Sequence, residues 1–268
     1  MPRHSANMEI MVRAALKAAR NLLRDFGEVE QLQVSVKGPG DFVSAADRRA
    51  ERILYDELRR ARPDWGFLLE ESGEKTGRSE DYRWIVDPLD GTTNFLHGLP
   101  HWAISVGLEH RGEIVAGVVY DPVKNELFAA ERGSGAFLND RRLRVSSRRE
   151  MSSALIGCGL PVQCWKGREK GFTRQMEKVA DEAAGLRRLG TCSLDLAYVA
   201  AGRQDGFWEY GVKPWDIAAG ILLVREAGGM VGRLEGDEDL FAEGTIVAGN
   251  PWIYEKLRAI LEKATPPV

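Results

Sequence analysis

Apolar residues recur at spacings of three and four from Met8 to Phe26, taking in Met11, Val12, Ala15, Leu16, Ala19, Leu22 and Leu23. That period predicts an amphipathic helix over 8–26 with this face on a core. LQVSVK then has a strand-like pattern, and Gly38-Pro39-Gly40 marks a turn. FVSAADRRAERILYDELRRA returns to helical spacing, with Ser44 as the N-cap. FLLEE and residues 84–86, 103–109 and 113–120 predict strands, the last two folded into a hairpin by Arg111-Gly112. From about Arg144 onward the pattern gives a strand, ALIGCG, and a helix over 171–184. A short strand, a turn at Gly190 and a helix to Ala201 come next, followed by the strand FWEY. WDIAAGILLVREAGG predicts a helix closed by Gly228-Gly229, TIVAGN a final strand, and 252–262 a final helix. Strands and helices alternate throughout without repeat or long linker. The expected body is layered α/β, in two associated halves (1–143 and 144–268) that form one compact unit.

Composition narrows the function classes. With 268 residues and 44% hydrophobic content the chain can bury a sizeable core, and a formal charge of −3 offers no general attraction to nucleic acid or a membrane surface. The basic run from Arg141 to Arg149 reads as a solvated connection. No uncharged apolar run of about 18 residues occurs, and no signal-type apolar segment opens the chain. Cys158, Cys164 and Cys192 follow no zinc spacing and read as free buried thiols of a reducing, cytoplasmic setting.

The candidate chemistry lies in WIVDPLDGTTNF. Asp87 and Asp90, three residues apart across an expected strand-to-turn junction, face one point if the chain turns at Pro88. Two carboxylates about 4 Å apart at an effective dielectric near 20 repel by roughly 4 kcal/mol, so a neutralising partner is required. An all-oxygen set favours a hard cation such as Mg²⁺. The amides of Gly91 and Thr92 open a short helical stretch, TTNFLHG, and suit a phosphate. DPLDG alone is equally an ordinary surface turn. Glu70-Glu71 at the end of the apolar run FLLEE, and Asp216 in the first turn of its helix, add further acids, although a cap is the simpler reading of Asp216. His97 and His101 read as turn histidines, Asp195 and Asp205 as cap or turn residues.

Together LLEESG, WIVDPLDGTTNF and KPWDIAAGILLVREAGG resemble the inositol monophosphatase family, within the lithium-sensitive, Mg²⁺-dependent sugar phosphatases. The likeness runs from about Asn7 to Leu261. It implies an αβαβα sandwich like that of inositol monophosphatase and fructose-1,6-bisphosphatase. It also implies a homodimer, two or three Mg²⁺ ions, and hydrolysis of inositol 1-phosphate or a similar polyol phosphate by metal-activated water. By matching position, Glu70, Asp87 and the Leu89 carbonyl would hold one ion, and Asp87, Asp90 and Asp216 a second. Glu70 would help a third, near Glu71 and Lys37. Gly91 and Thr92 would bind the phosphate, Thr92 with Asp47 would orient the water, and Glu209, Gly190, Thr191 and Cys192 would line the substrate pocket. Gly159-Leu160-Pro161 departs from the serine-containing loop of animal members, and Cys192 replaces a frequent alanine. The resemblance leaves two alternatives open: a phosphatase for histidinol phosphate, fructose bisphosphate or a dinucleotide phosphate, and a regulatory protein with a transcription-machinery partner, as among some bacterial relatives.

Overall fold

The computed structural model describes residues 5–28, 34–38, 41–159, 169–234, 239–241 and 245–264, with the backbone alone described for 34–38, 41–43 and 169–170. Cys164, Pro39-Gly40 and Leu160-Pro161 lie outside the described residues, as does the side chain of Lys37.

Helix α1 (Ala6–Gly27) starts at Ser5, whose hydroxyl accepts from the Met8 amide. Its buried stripe takes in Met8, Met11, Ala15, Ala19 and Leu22 as expected. Leu16 and Leu23, expected on that face, are instead 39% and 41% exposed, while Ile10, Ala14 and Ala18 are buried. Each leucine follows a core residue, Ala15 or Leu22, and one residue turns the helix by about 100°, which carries both beyond the stripe. After the ribbon of β1 (Val34–Gly38) and β2 (Asp41–Ser44), helix α2 (Ala45–Ala61) begins at Ser44 as expected.

The first sheet contains β3 (Trp65–Leu69), β4 (Gly73–Lys75), β5 (Ser79–Asp90), β6 (Ala103–His110), β7 (Glu113–Asp121), β8 (Glu126–Glu131), β9 (Gly135–Leu138) and β10 (Arg141–Arg142). Their order is β10-β9-β8-β7-β6-β5-β3-β4, with β3 parallel to β5 and the other pairs antiparallel. Arg111 and Gly112 both have positive φ, 52° and 81°, as a two-residue hairpin of the primed kind requires. The second sheet contains β11 (Leu155–Gly159), β12 (Gly185–Arg187), β13 (Gly206–Tyr210), β14 (Met230–Arg233) and β15 (Thr245–Gly249), in the order β12-β11-β13-β15-β14.

Helices α1 and α2 cover the outer face of the first sheet. Between the two sheets lie α5 (Cys192–Ala200) and α6 (Pro214–Glu226), while α4 (Glu169–Glu182) and α7 (Pro251–Ala264) cover the outer face of the second. The result is the expected αβαβα sandwich with three apolar layers. Residues 217–224 of α6 are all buried, as a helix packed on every side must be. Gly107 and Gly117 are cross-strand partners on β6 and β7. A Cβ on Gly107 would stand 2.9 Å from the Ala218 Cβ, and one on Gly117 would stand 2.8 Å from the Ala219 Cα. The paired glycines therefore form a trough in which α6 lies directly on the sheet, bringing the start of α6 to the end of β5.

Candidate active site

Side chains along a regular strand alternate faces, so residues three apart point to opposite sides. For Asp87 and Asp90 the expected remedy is a turn at Pro88. The structure instead continues β5 through Asp90 and inserts a bulge: Asp87 pairs with Ser105 and Asp90 with Ala103, so three steps on β5 oppose two on β6. The extra residue restores both acids to one side, and Pro88, which has no amide to give the ladder, falls within the irregularity. The Leu89 amide donates to Asp87 Oδ1 at 2.9 Å, which closes the bulge locally.

Two more acids reach this point from other elements. Glu70 stands directly after β3, in the turn to β4, where the neighbouring Glu71 amide donates to Glu51 Oε2 of α2 at 2.8 Å. Asp216 sits in the first turn of α6, and its Oδ2 accepts from the Lys213 amide at 2.7 Å, so the cap role holds as well. Burial pushes the Asp87 carboxyl well above the usual range, and the charges of Glu70, Asp90 and Asp216 raise it further. Asp216 is raised by burial and then by Asp90. Asp90 is pushed up to about 6 by burial, against hydrogen bonds from Ser193 that favour its charged form. Asp87 is 2% exposed, whereas Glu70, Asp90 and Asp216 keep part of their surface open, as acids around a recess do.

The chemistry of this donor set fits a hard divalent cation: it consists of carboxylates whose charges raise the proton affinity of Asp87 and Asp216, with a main-chain carbonyl beside them. Among the described residues, no group of three His, Cys, Asp or Glu side chains stands, as placed here, in a position to hold a metal ion. One oxygen each of Asp87, Asp90 and Asp216 is held by a backbone amide. Such anchoring sets the direction of the second oxygen, which is how outer partners prepare a ligand.

The groups around the acids follow the same logic. Asp47 closes a capping box on α2, its Oδ2 accepting from the Ser44 amide at 2.8 Å, and its Oδ1 lies 3.1 Å from Thr92 Oγ1. Thr92 Oγ1 is also 3.0 Å from the Leu89 carbonyl. Burial raises the Asp47 carboxyl, opposed by its hydrogen bonds to Ser44 and Thr92. Helix α3 (Thr92–Leu96) starts at Gly91, at φ 92° and with no side chain capping it. A Cβ there would lie 2.6 Å from Thr191 Oγ1, so the turn takes glycine for both conformation and space.

Gly190, Thr191 and Cys192 form the approach to α5 beside this turn. Asn94 ties them to it, its amide donating to the carbonyls of His101 and Leu189 at 2.8 Å each. The Cys192 thiol is hydrogen-bonded to Glu209 on β13, and burial raises the affinity of both for a proton. Asp216 and Asp90 add to the rise at Glu209, so this carboxylate faces the acid cluster. Glu71 stays beside Glu70 in its turn, and Lys37 is described by its backbone alone.

Two residues escaped sequence reasoning. Ser193 donates from its amide at 2.7 Å and its hydroxyl at 2.5 Å to Asp90 Oδ2, and a serine at a helix start looks like a simple cap. Asn94 falls within the expected short helical stretch TTNFLHG, which gives it no site role. Asp195, expected as a cap or turn residue, instead lies within α5, 1% exposed, with Oδ1 accepting from Gln204 at 2.7 Å. Asp205 does organise a turn, receiving the Leu155 amide at 2.7 Å. His101 is pushed down to about 4 by burial and by Lys124, which favours a neutral ring.

The family model that matches this chain is the inositol monophosphatase family, over residues 5–265. The chain belongs to the inositol monophosphatase family. An inositol-1-monophosphatase of Mesorhizobium japonicum is 56% identical over 259 residues, covering 97% of each chain. The Nus factor SuhB of Escherichia coli K12 is 44% identical over 252 residues, covering 94% of each. Among solved structures, the extragenic suppressor protein suhB of Bartonella henselae superposes with a TM-score of 0.94 at 56% identity, over 97% of this chain and 99% of that one. The family is generally metal-dependent, in keeping with the donor set. No helix among the described residues is long and apolar enough to cross a membrane.

Proposed function

We propose that this member of the inositol monophosphatase family is a Mg²⁺-dependent phosphomonoesterase, acting on inositol 1-phosphate or a similar polyol or sugar phosphate. One observation carries the reading: acids from three elements converge beside an uncapped helix start, the charges of Glu70, Asp90 and Asp216 raising the proton affinity of Asp87, and those of Asp90 and Glu70 that of Asp216. The relatives named inositol-1-monophosphatase support the same activity.

Glu70, Asp87, Asp90, Asp216 and the Leu89 carbonyl would hold two or three Mg²⁺ ions. Bound there, the ions supply Lewis-acid stabilisation of phosphoryl charge and a lowered pKa for water. The chain's own groups do the rest. The amides of Gly91 and Thr92 hold the phosphate oxygens, with no reorganisation because the glycine turn fixes their direction. Thr92 Oγ and Asp47, hydrogen-bonded to each other, orient the attacking water. Glu209 accepts from substrate hydroxyls, with Gly190, Thr191 and Cys192 along the same wall, while Lys37 and Glu71 support the Glu70 side. The two halves, 1–143 and 144–268, act as one compact unit in a cytoplasmic homodimer.

A panel of phosphate monoesters tests this, with inositol 1-phosphate beside histidinol phosphate, fructose bisphosphate and NADP. Hydrolysis should need Mg²⁺, be inhibited by Li⁺ and vanish in EDTA; full activity in EDTA rejects the reading. The name of the Escherichia coli relative, a Nus factor, favours a second role in which the chain also engages a transcription-machinery partner. Co-purification of such a partner, with and without Mg²⁺, is its test.

A further inference from the structure

A hollow of about 480 Å³ opens at the start of β3, roughly 16 Å along the strand from Glu70 at 3.3 Å per residue. This is the size of a small-molecule pocket, which runs from roughly 300 to 1,000 Å³. Tyr55, Trp65 and Phe67 supply its aromatic wall, and Arg59, Lys75 and Arg78 its cations. Lys75 Nζ stands 4.0 Å from the centre of the Tyr55 ring and Arg59 Cζ 5.5 Å from it, and Arg59 also donates to the Tyr55 hydroxyl. Among the described residues neither cation has a carboxylate partner, and both lean on one ring instead. Arg78 pairs with Asp64 at 3.5 Å, through side chains that are 90% and 55% exposed.

The loop carrying Arg78 is built into place. A Cβ on Gly77 would lie 2.4 Å from the Gly66 amide nitrogen, so the loop is pressed against the first residues of β3. Three cations against one acid leave a net charge of +2, which a phosphate monoester dianion cancels. Arginine and lysine donors make strong charge-assisted hydrogen bonds to such oxygens. The aromatic wall suits a flat ring next to that phosphate.

We propose that this hollow is a second anion site, separate from the carboxylate cluster, that takes a small phosphate monoester carrying a planar ring. The test is calorimetric titration of the full chain in EDTA, where the carboxylate cluster repels a dianion, with phenyl phosphate, inorganic phosphate and phenol as probes. Phenyl phosphate should bind at one site, more tightly than inorganic phosphate, and phenol should give no heat. The double variant Arg59→Gln/Lys75→Met should weaken phenyl phosphate binding by about tenfold or more, since two charge-assisted contacts are lost. Arg78→Gln, at an exposed side chain that the fold does not need, should weaken it several-fold and serves if the double variant does not fold. Absence of binding to the unaltered chain overturns the proposal, and so does binding that the folded variants leave unchanged.

Discussion

Ser193→Ala isolates one polar contact of the candidate site while leaving the ligand set intact. Asp90 Oδ2 accepts twice from Ser193, from the amide at 2.7 Å and from the hydroxyl at 2.5 Å. Alanine removes the second donor and keeps the first. A hydrogen bond to a charged group is worth about 1.5–3 kcal/mol, which corresponds to roughly 10- to 150-fold in an equilibrium or rate. Loss of an outer partner of a metal ligand typically costs 10–100-fold in affinity or activity, an independent figure of the same size. The Mg²⁺ concentration for half-maximal hydrolysis of inositol 1-phosphate should therefore rise by about tenfold or more, because Asp90 is less well aimed and holds its proton more tightly. Ser193 is a positioning residue, so saturating Mg²⁺ should restore much of kcat. The assay is a Mg²⁺ titration of kcat on both proteins, with melting temperatures measured in EDTA. An unchanged half-saturation point in a folded variant refutes the role given to Ser193, and a loss of kcat that Mg²⁺ cannot restore moves it to another step.

Asp90→Asn keeps the shape and removes a ligand charge, so kcat should fall at least about 10³-fold, roughly 4 kcal/mol of transition-state stabilisation; normal turnover with unchanged Mg²⁺ dependence contradicts the assignment. Glu209→Ala should lower kcat/KM for inositol 1-phosphate by roughly 10- to 150-fold and spare a simple aryl phosphate, whereas equal losses on both take Glu209 out of the substrate pocket. Asp195, 1% exposed, is pushed up to about 8 chiefly by burial. The folded chain then binds the extra proton, so this group makes stability fall as pH rises from the ordinary carboxylate range toward about 8, by at most about 1.4 kcal/mol per pH unit. Asp195→Asn keeps a neutral group, and its stability relative to the unaltered chain in urea should climb between pH 5 and 8; parallel curves would show that Asp195 is already ionised.

Local patterns carried much of the outcome. The three- and four-residue spacing after Met8, the Ser44 cap with Asp47 three residues on, and the apolar stretch after Asp216 depend on neighbours in the chain, and sequence by itself determined those helices. The candidate acids were legible for the same reason, since Asp87, Asp90 and the glycine turn occupy one short segment. Strands β8 to β10 escape the sequence pattern, because consecutive buried residues in β8 and β9 blur the alternation that marks a strand and β10 is only two exposed arginines. Tertiary structure alone decided how the acids come to share one side, since a bulge exists only relative to the partner strand, and Asp87 and Asp90 are placed by what β6 pairs with them. It also decided which residues hold the ligands. Ser193 is 103 positions from Asp90, and the glycines that seat α6 act through residues about a hundred positions later in the chain. Contacts over such separations leave no periodic trace, because they depend on how the layers stack, and packing is settled only when the whole chain has folded.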